Sequence, residues 1–180
     1  MRNLQRLIAA AALVACVVTA FADVKSASAV LSSAQTKARL EKKNVLVMFD
    51  ASWCGWCRRL EKFVEDKEMR KLLEKSFVLV TLDVLENEDK KALENPGGSE
   101  YLEKFGGKDA GLPFTAAIDP SGKLIVNSNE KDGKKGNIGY PAAPNEIAHF
   151  MTMLKKSAPQ LSNADREKLR AWLVANAPKT

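Results

Sequence analysis

Two cysteines three residues apart, in Trp53-Cys54-Gly55-Trp56-Cys57, carry the chemistry that this sequence offers. Residues at i and i+3 share one side of a helical turn, so the two sulfurs can meet in a bridge. A helix opening at Cys54 would set that sulfur against unpaired N–H groups and the positive end of the helix dipole, which stabilise a thiolate. Arg58, Arg59 and Lys62 add positive charge nearby. The Cys54 thiol is therefore expected to ionise below its ordinary ~8.5, in the range ~6–7.5. Only the thiolate attacks disulfides, so the pattern predicts thiol–disulfide exchange. A zinc site would need two further ligands, and beyond the leader only His149 is offered, on a separate helix; no metal is expected. Covalent haem would require histidine after Cys57, where Arg58 stands. A purely structural bridge closing so short a loop would add little stability. No cofactor is expected.

The surrounding pattern alternates strand and helix. Ser32 and Gln35 stand at capping-box spacing, so a helix is expected over Ser32 to Lys43. Val45 to Phe49 is a short, continuous apolar run, the mark of a strand buried on both faces. The cysteines then open a helix from Cys54 to Lys62, continued over Glu68 to Lys75, and Phe77 to Val84 reads as a second buried strand. Asn95-Pro96-Gly97-Gly98 breaks the chain before a short helix over Ser99 to Phe105. Phe114 to Ile118 and Leu124 to Val126 are strands joined by the turn Asp119-Pro120-Ser121-Gly122. A polar loop from Asn127 to Gly139 leads to an amphipathic helix over Asn145 to Lys156. Pro159 ends that helix, and a last one over Asp165 to Asn176 is capped near Ser162. This order predicts an α/β domain, a central mixed sheet covered by helices with an extra C-terminal helix.

The 180 residues are 46% hydrophobic, which supplies one core and hardly two; 28% charged residues argue against wholesale disorder. The basic start at Arg2 and Arg6, the uncharged run Leu7 to Ala22 and the small residues of Ala20-Phe21-Ala22 follow the order of a secretory signal peptide. Sixteen residues are short for an uncleaved anchor. Leu13-Val14-Ala15-Cys16 also resembles a lipobox, which would make the chain a lipoprotein anchored through Cys16. The apolar stretch Val17 to Ala22 would then be the tether, and such tethers are usually polar, so periplasmic or secreted export is favoured. Cleavage after Ala22 would remove Arg2 and Arg6 and take the formal charge from +6 to +4. It would also leave Cys54 and Cys57 alone in an oxidising compartment. No basic stripe with interleaved aromatics points to nucleic acid. The expected division is 1–22 leader, 23–31 linker, 32–157 domain and 158–180 helical extension.

Val45 to Phe49, the Trp-Cys-Gly-Trp-Cys motif and Gly111-Leu112-Pro113-Phe114-Thr115 together resemble the thioredoxin-like superfamily over about residues 32 to 157. The motif is similar to that of exported members like the C-terminal domain of the thiol:disulfide interchange protein. The resemblance implies a thioredoxin-like fold and a cis Pro113 packed across from the cysteines. A cis X-Pro bond would expose the Leu112 backbone, where a substrate segment could add as a strand. Trp53 and Trp56 are then expected to cover the disulfide and to contact substrate. One departure stands out. The family's buried aspartate, six residues before the first cysteine, is replaced by Met48, which cannot move protons. Asp50, two residues on, points to the same side of a strand and either substitutes or merely ends it.

These features predict an exported thiol:disulfide oxidoreductase acting on protein disulfides. Cys54 would be the nucleophile and Cys57 the resolving thiol, with a membrane or envelope thiol as electron donor. The Gly55-Trp56 pair has neither the histidine of strong oxidants nor the proline of cytosolic thioredoxin, and the reductase direction is favoured. The alternative is a non-catalytic binding or assembly module of the cell envelope with the same fold. A cysteine peroxidase matches poorly, because Ser52 and Arg58 do not supply the support that a peroxidatic site needs.

Overall fold

The computed structural model describes residues 24–130 and 136–178. Residues 1–23, which include Cys16 and the expected leader, and residues 131–135 lie outside the described residues. The helices are α1 (Ala27–Glu41), α2 (Gly55–Glu65), α3 (Lys67–Leu73), α4 (Gly98–Lys104), α5 (Pro144–Ser157) and α6 (Asn163–Ala175). The strands are β1 (Asn44–Asp50), β2 (Phe77–Asp83), β3 (Phe114–Ile118) and β4 (Leu124–Asn127), in the order β2-β1-β3-β4. β1 runs parallel to β2 and antiparallel to β3, and β3 runs antiparallel to β4. The sheet is mixed, as the alternation of elements predicts. No described helix is long and apolar enough to cross a membrane.

Alternation along the strands divides the core in two. Val45, Val47 and Phe49 of β1, with Phe114, Ala116 and Ile118 of β3, face α1 and α4. On that side the Phe49 ring lies 6.3 Å from Phe105 and 6.1 Å from Phe114. Leu46 and Met48 face the other way, towards α2, α3, α5 and α6. Each such side chain, taken from water, contributes about 1.5–3 kcal/mol before the entropy of ordering is subtracted. Asp50 continues the Leu46–Met48 row and so reaches the α2 side of the sheet.

Three expectations need correction. The first helix starts at Ala27 rather than Ser32: Ser26 is its N-cap, accepting the Ala29 N–H at 3.3 Å. Ala27, Leu31, Ala34 and Ala38 form its buried stripe, so part of the supposed linker 23–31 is helical. β2 is the edge strand of the sheet: Phe77 packs on one face and Val78 and Leu82 on the other, but Thr81 is exposed, so its burial is less complete than its apolar run implies. A 3-10 turn, Glu88–Leu93, lies between β2 and α4, a stretch to which the sequence pattern assigns no element. The C-terminal helix packs back on the body. Leu169 and Leu173 are fully buried, and Trp172 lies 5.1 Å from the Phe63 ring.

Candidate active site

β1 ends at Asp50, and the chain turns through Ala51-Ser52-Trp53 into α2. Cys54 is the N-cap of α2, in extended backbone, and its sulfur accepts the Cys57 N–H at 3.1 Å. It therefore satisfies one of the donors that a helix start leaves without a partner. Cys54 and Cys57 are joined in a disulfide with their Cα atoms 5.3 Å apart. α2 is held in this orientation by Cys57, Leu60, Phe63 and Val64, which face the core, while Arg58, Arg59 and Lys62 stay in solvent. Both cysteines are 2% exposed, and Ala51 and Leu112 pack against them.

The chain between β1 and α2 is clamped by the segment following β2. Glu86, itself buried, accepts the Ser52 N–H at 2.6 Å and the Ser52 hydroxyl at 2.8 Å. Trp53 donates its indole N–H to the Leu85 carbonyl at 2.8 Å. Arg58 donates to the Ser52 carbonyl at 3.2 Å. Trp53 and Trp56 remain about half exposed on either side of Cys54. Trp56 stacks on Tyr140, with ring centroids 6.3 Å apart, and the Arg59 guanidinium lies 5.5 Å from the Trp56 ring.

The Leu112–Pro113 peptide bond is cis, and Pro113 is buried at the edge of a cavity of about 240 Å3 beneath the disulfide. Met48, Asp50, Cys57, Glu61, Asp83 and Pro113 are among the residues that line it. Asp50 is half-buried there, with a carboxylate oxygen and the two sulfurs all within 4.8 Å of one another. Burial pushes the Asp50 carboxyl above its ordinary range; the Ala51 N–H opposes this, and the charges of Asp83, Glu61 and Glu86 push it further up. Asp83 is raised too, first by burial and then by Glu86 and Glu61. Asp50, Cys54 and Cys57 are the one group of three potential metal-ligand residues among the described residues, and in the disulfide neither sulfur is a thiolate. His149 lies elsewhere, its Nε2 within 3.2 Å of the Asn127 carbonyl.

A residue pattern described as thioredoxin-like matches residues 26–120, over half of the chain. The chain belongs to the thioredoxin-like family. Among solved structures, a disulphide isomerase from Xylella fastidiosa Temecula1 aligns with a TM-score of 0.53 at 21% identity, covering 76% of this chain and 94% of that one. The C-terminal domain of DsbD from Neisseria meningitidis, in its oxidised form, aligns with a TM-score of 0.42 at 19% identity, over 59% of this chain and 84% of its own. No curated protein matches the sequence. A thioredoxin-like fold with a close Cys54–Cys57 pair supports thiol:disulfide oxidoreductase activity.

All seven residues singled out in the sequence, Asp50, Trp53, Cys54, Trp56, Cys57, Leu112 and Pro113, gather at one end of the sheet. Sequence reasoning missed Glu86, Asp83, Tyr140 and Asn137, whose side-chain amide donates to the carbonyls of Gly111 and Pro113. Asp83 had a signal, since it ends a strand as Asp50 does; the other three reach the site from loops distant in sequence.

Proposed function

We propose that this protein is an exported thiol:disulfide oxidoreductase that works in the reducing direction. The observation carrying this reading is the setting of the disulfide: Cys54 caps α2, Leu112-Pro113 packs beside it, and the Asp50 carboxylate is within 4.8 Å of the sulfurs. In the reduced protein the Cys54 thiolate attacks a client disulfide, releasing one client thiolate and forming a mixed disulfide. Asp50 then takes the Cys57 proton, and Cys57 attacks the Cys54 sulfur. The second client thiolate leaves, two electrons have passed to the client, and the Cys54–Cys57 disulfide remains. A membrane or envelope thiol returns the electrons. Trp53 and Trp56 flank the nucleophile as client-contacting surfaces, and the Leu112 backbone offers an edge for an extended client segment.

The carboxylates favour the reducing direction. Asp50, within 4.8 Å of the sulfurs, and Asp83, which lines the same cavity as Cys57, place carboxylate charge at the pair, which disfavours the thiolate and so favours disulfide over dithiol. Export rests on the leader pattern of residues 1–22, and N-terminal sequencing of the mature protein should begin at Asp23. A lipidated Cys16 would instead mark a membrane-anchored form. The deciding experiment equilibrates the mature protein in glutathione or dithiothreitol buffers and follows Cys54–Cys57. A potential near ~−270 mV is expected for a reductant, whereas one near ~−120 mV makes the protein a disulfide donor.

The burial of both sulfurs also fits a binding or assembly module in which the disulfide is inert. A pair that never titrates, and a client interaction that survives replacing both cysteines by serine, would establish that reading in place of the enzyme.

A further inference from the structure

We propose that Asn137 is a positioning residue, holding the chain on both sides of Leu112 so that the Leu112 backbone faces an incoming client. The inference rests on the reading of Leu112 as the docking edge. The Asn137 side-chain amide donates to the carbonyls of Gly111 and Pro113, the residues flanking Leu112. Its Oδ1 accepts the Ser128 hydroxyl at 2.7 Å and the Gly139 N–H at 3.1 Å. Ser128 is buried, and its oxygen accepts the Thr115 N–H at 2.9 Å, so its one hydroxyl proton is directed to Asn137. The amide orientation is thereby fixed from behind, and both amide protons are aimed at the loop. Ser128 also exchanges backbone hydrogen bonds with Thr115 and Ile138, tying the network to β3.

The consequence falls on Leu112. With the carbonyls before and after it drawn towards Asn137, its own N–H and C=O have no partner among the described residues. An extended client can form two backbone hydrogen bonds there without any local rearrangement, which reduces the ordering cost of binding. Without the clamp, Gly111-Leu112-Pro113 must be ordered at each encounter.

Asn137→Asp is the discriminating variant, because it keeps the oxygen that Ser128 and Gly139 donate to and replaces the amide donor by an acceptor that repels both carbonyls. In a protein-disulfide reductase assay with insulin, KM should rise about tenfold, the loss of two hydrogen bonds, with kcat held within about twofold. Unchanged KM in the folded variant overturns the proposal, as does a kcat that falls as steeply as kcat/KM. A second measurement needs no Asn137 variant. In the otherwise wild-type protein the Asn137 side-chain amide protons should exchange slowly, and the Leu112 amide should gain protection in a mixed disulfide of Cys57→Ser with a client peptide. Rapid exchange of the Asn137 amide, or an unprotected Leu112 in that complex, overturns it too. If the wild-type protein fails to reduce insulin, the enzyme reading itself falls; wild-type activity with an indifferent Asn137→Asp removes only this inference.

Discussion

Asp50 and Asp83 are register partners at the ends of β1 and β2, and both line the cavity under the Cys54–Cys57 disulfide. Parallel register partners point to the same side of a sheet, so two half-buried carboxylates stand next to each other. No ion pair among the described residues neutralises either. Burial therefore acts on both, and each is pushed towards its protonated form.

Asp50 is the group placed to take a proton from Cys57. Asp50→Asn should slow resolution of the mixed disulfide by on the order of 100-fold, the lower range for loss of a general base. Rapid-quench analysis should show the mixed disulfide accumulating. The wild-type rate should rise with pH as the elevated Asp50 carboxyl ionises, above its ordinary 3.8, and the variant should lack that limb. A variant that resolves as fast as wild type would leave Asp50 as the end of a strand and nothing more.

Asp83 bears on stability. A carboxyl raised in the folded state binds its proton more tightly there than in the unfolded chain, so folding is favoured at low pH. That advantage fades as pH rises from 3.8 through the raised value. Asp83→Asn should therefore stabilise the protein at neutral pH, by less than about 1 kcal/mol because the group is half in solvent. Thermal melts should show the gain at pH 7 and its disappearance near pH 3; a gain independent of pH would place the effect elsewhere.

The two cysteines should separate in a trapping experiment. Cys54→Ser removes the nucleophile and should abolish turnover, while Cys57→Ser should hold clients as mixed disulfides. Non-reducing electrophoresis shows the adducts directly. Adducts forming with Cys54→Ser and not with Cys57→Ser would reverse the two roles.

Much of this arrangement is legible in the sequence. The apolar run Val45–Phe49, the cysteine spacing and the Asp119-Pro120-Ser121-Gly122 turn each obey a local rule, and the corresponding elements sit where that rule puts them. The start of α1 is not legible in the same way. Ser26 and Ser32 are both good capping residues, and only packing of Ala27 and Leu31 against β1 and β2 selects the first. The edge position of β2 likewise depends on strand order, which an apolar run does not encode. Glu86 and Asn137 carry no sequence signature because their partners, Ser52 and Gly111-Pro113, lie 34 and about 25 residues away and meet them only in the folded chain.

Glu86 should be costly to remove. Its truncation to alanine leaves the Ser52 N–H and hydroxyl without their carboxylate, and hydrogen bonds to a charged group are worth about 1.5–3 kcal/mol. Urea unfolding of Glu86→Ala should register a loss of about that size. Glu86→Gln keeps one acceptor oxygen and should lose less. Equal losses would mean that the packing of the side chain, rather than its acceptors, holds the turn before Cys54.

The C-terminal extension is a packed part of the domain, and its energetics can be separated into core and surface. Leu173 is fully buried among residues of α3 and α5, whereas Lys75 and Asp165 pair at 2.8 Å on the surface. Hydrogen bonds from Lys75 and Ser162 hold the Asp165 carboxyl down at about 2, so whatever that group contributes is present above its ordinary 3.8 and is lost as pH falls towards 2. Leu173→Ala should cost about 2–5 kcal/mol at any pH, as a buried leucine does when it leaves a cavity. Lys75→Ala should cost far less and only above that acidic window. If α6 were a detachable arm reserved for a partner, Leu173→Ala would leave the main unfolding transition in place and add a separate early one. A single transition moved as a whole to lower denaturant shows instead that α6, through Leu169, Trp172 and Leu173, supports the same core that seats α2 and its cysteines.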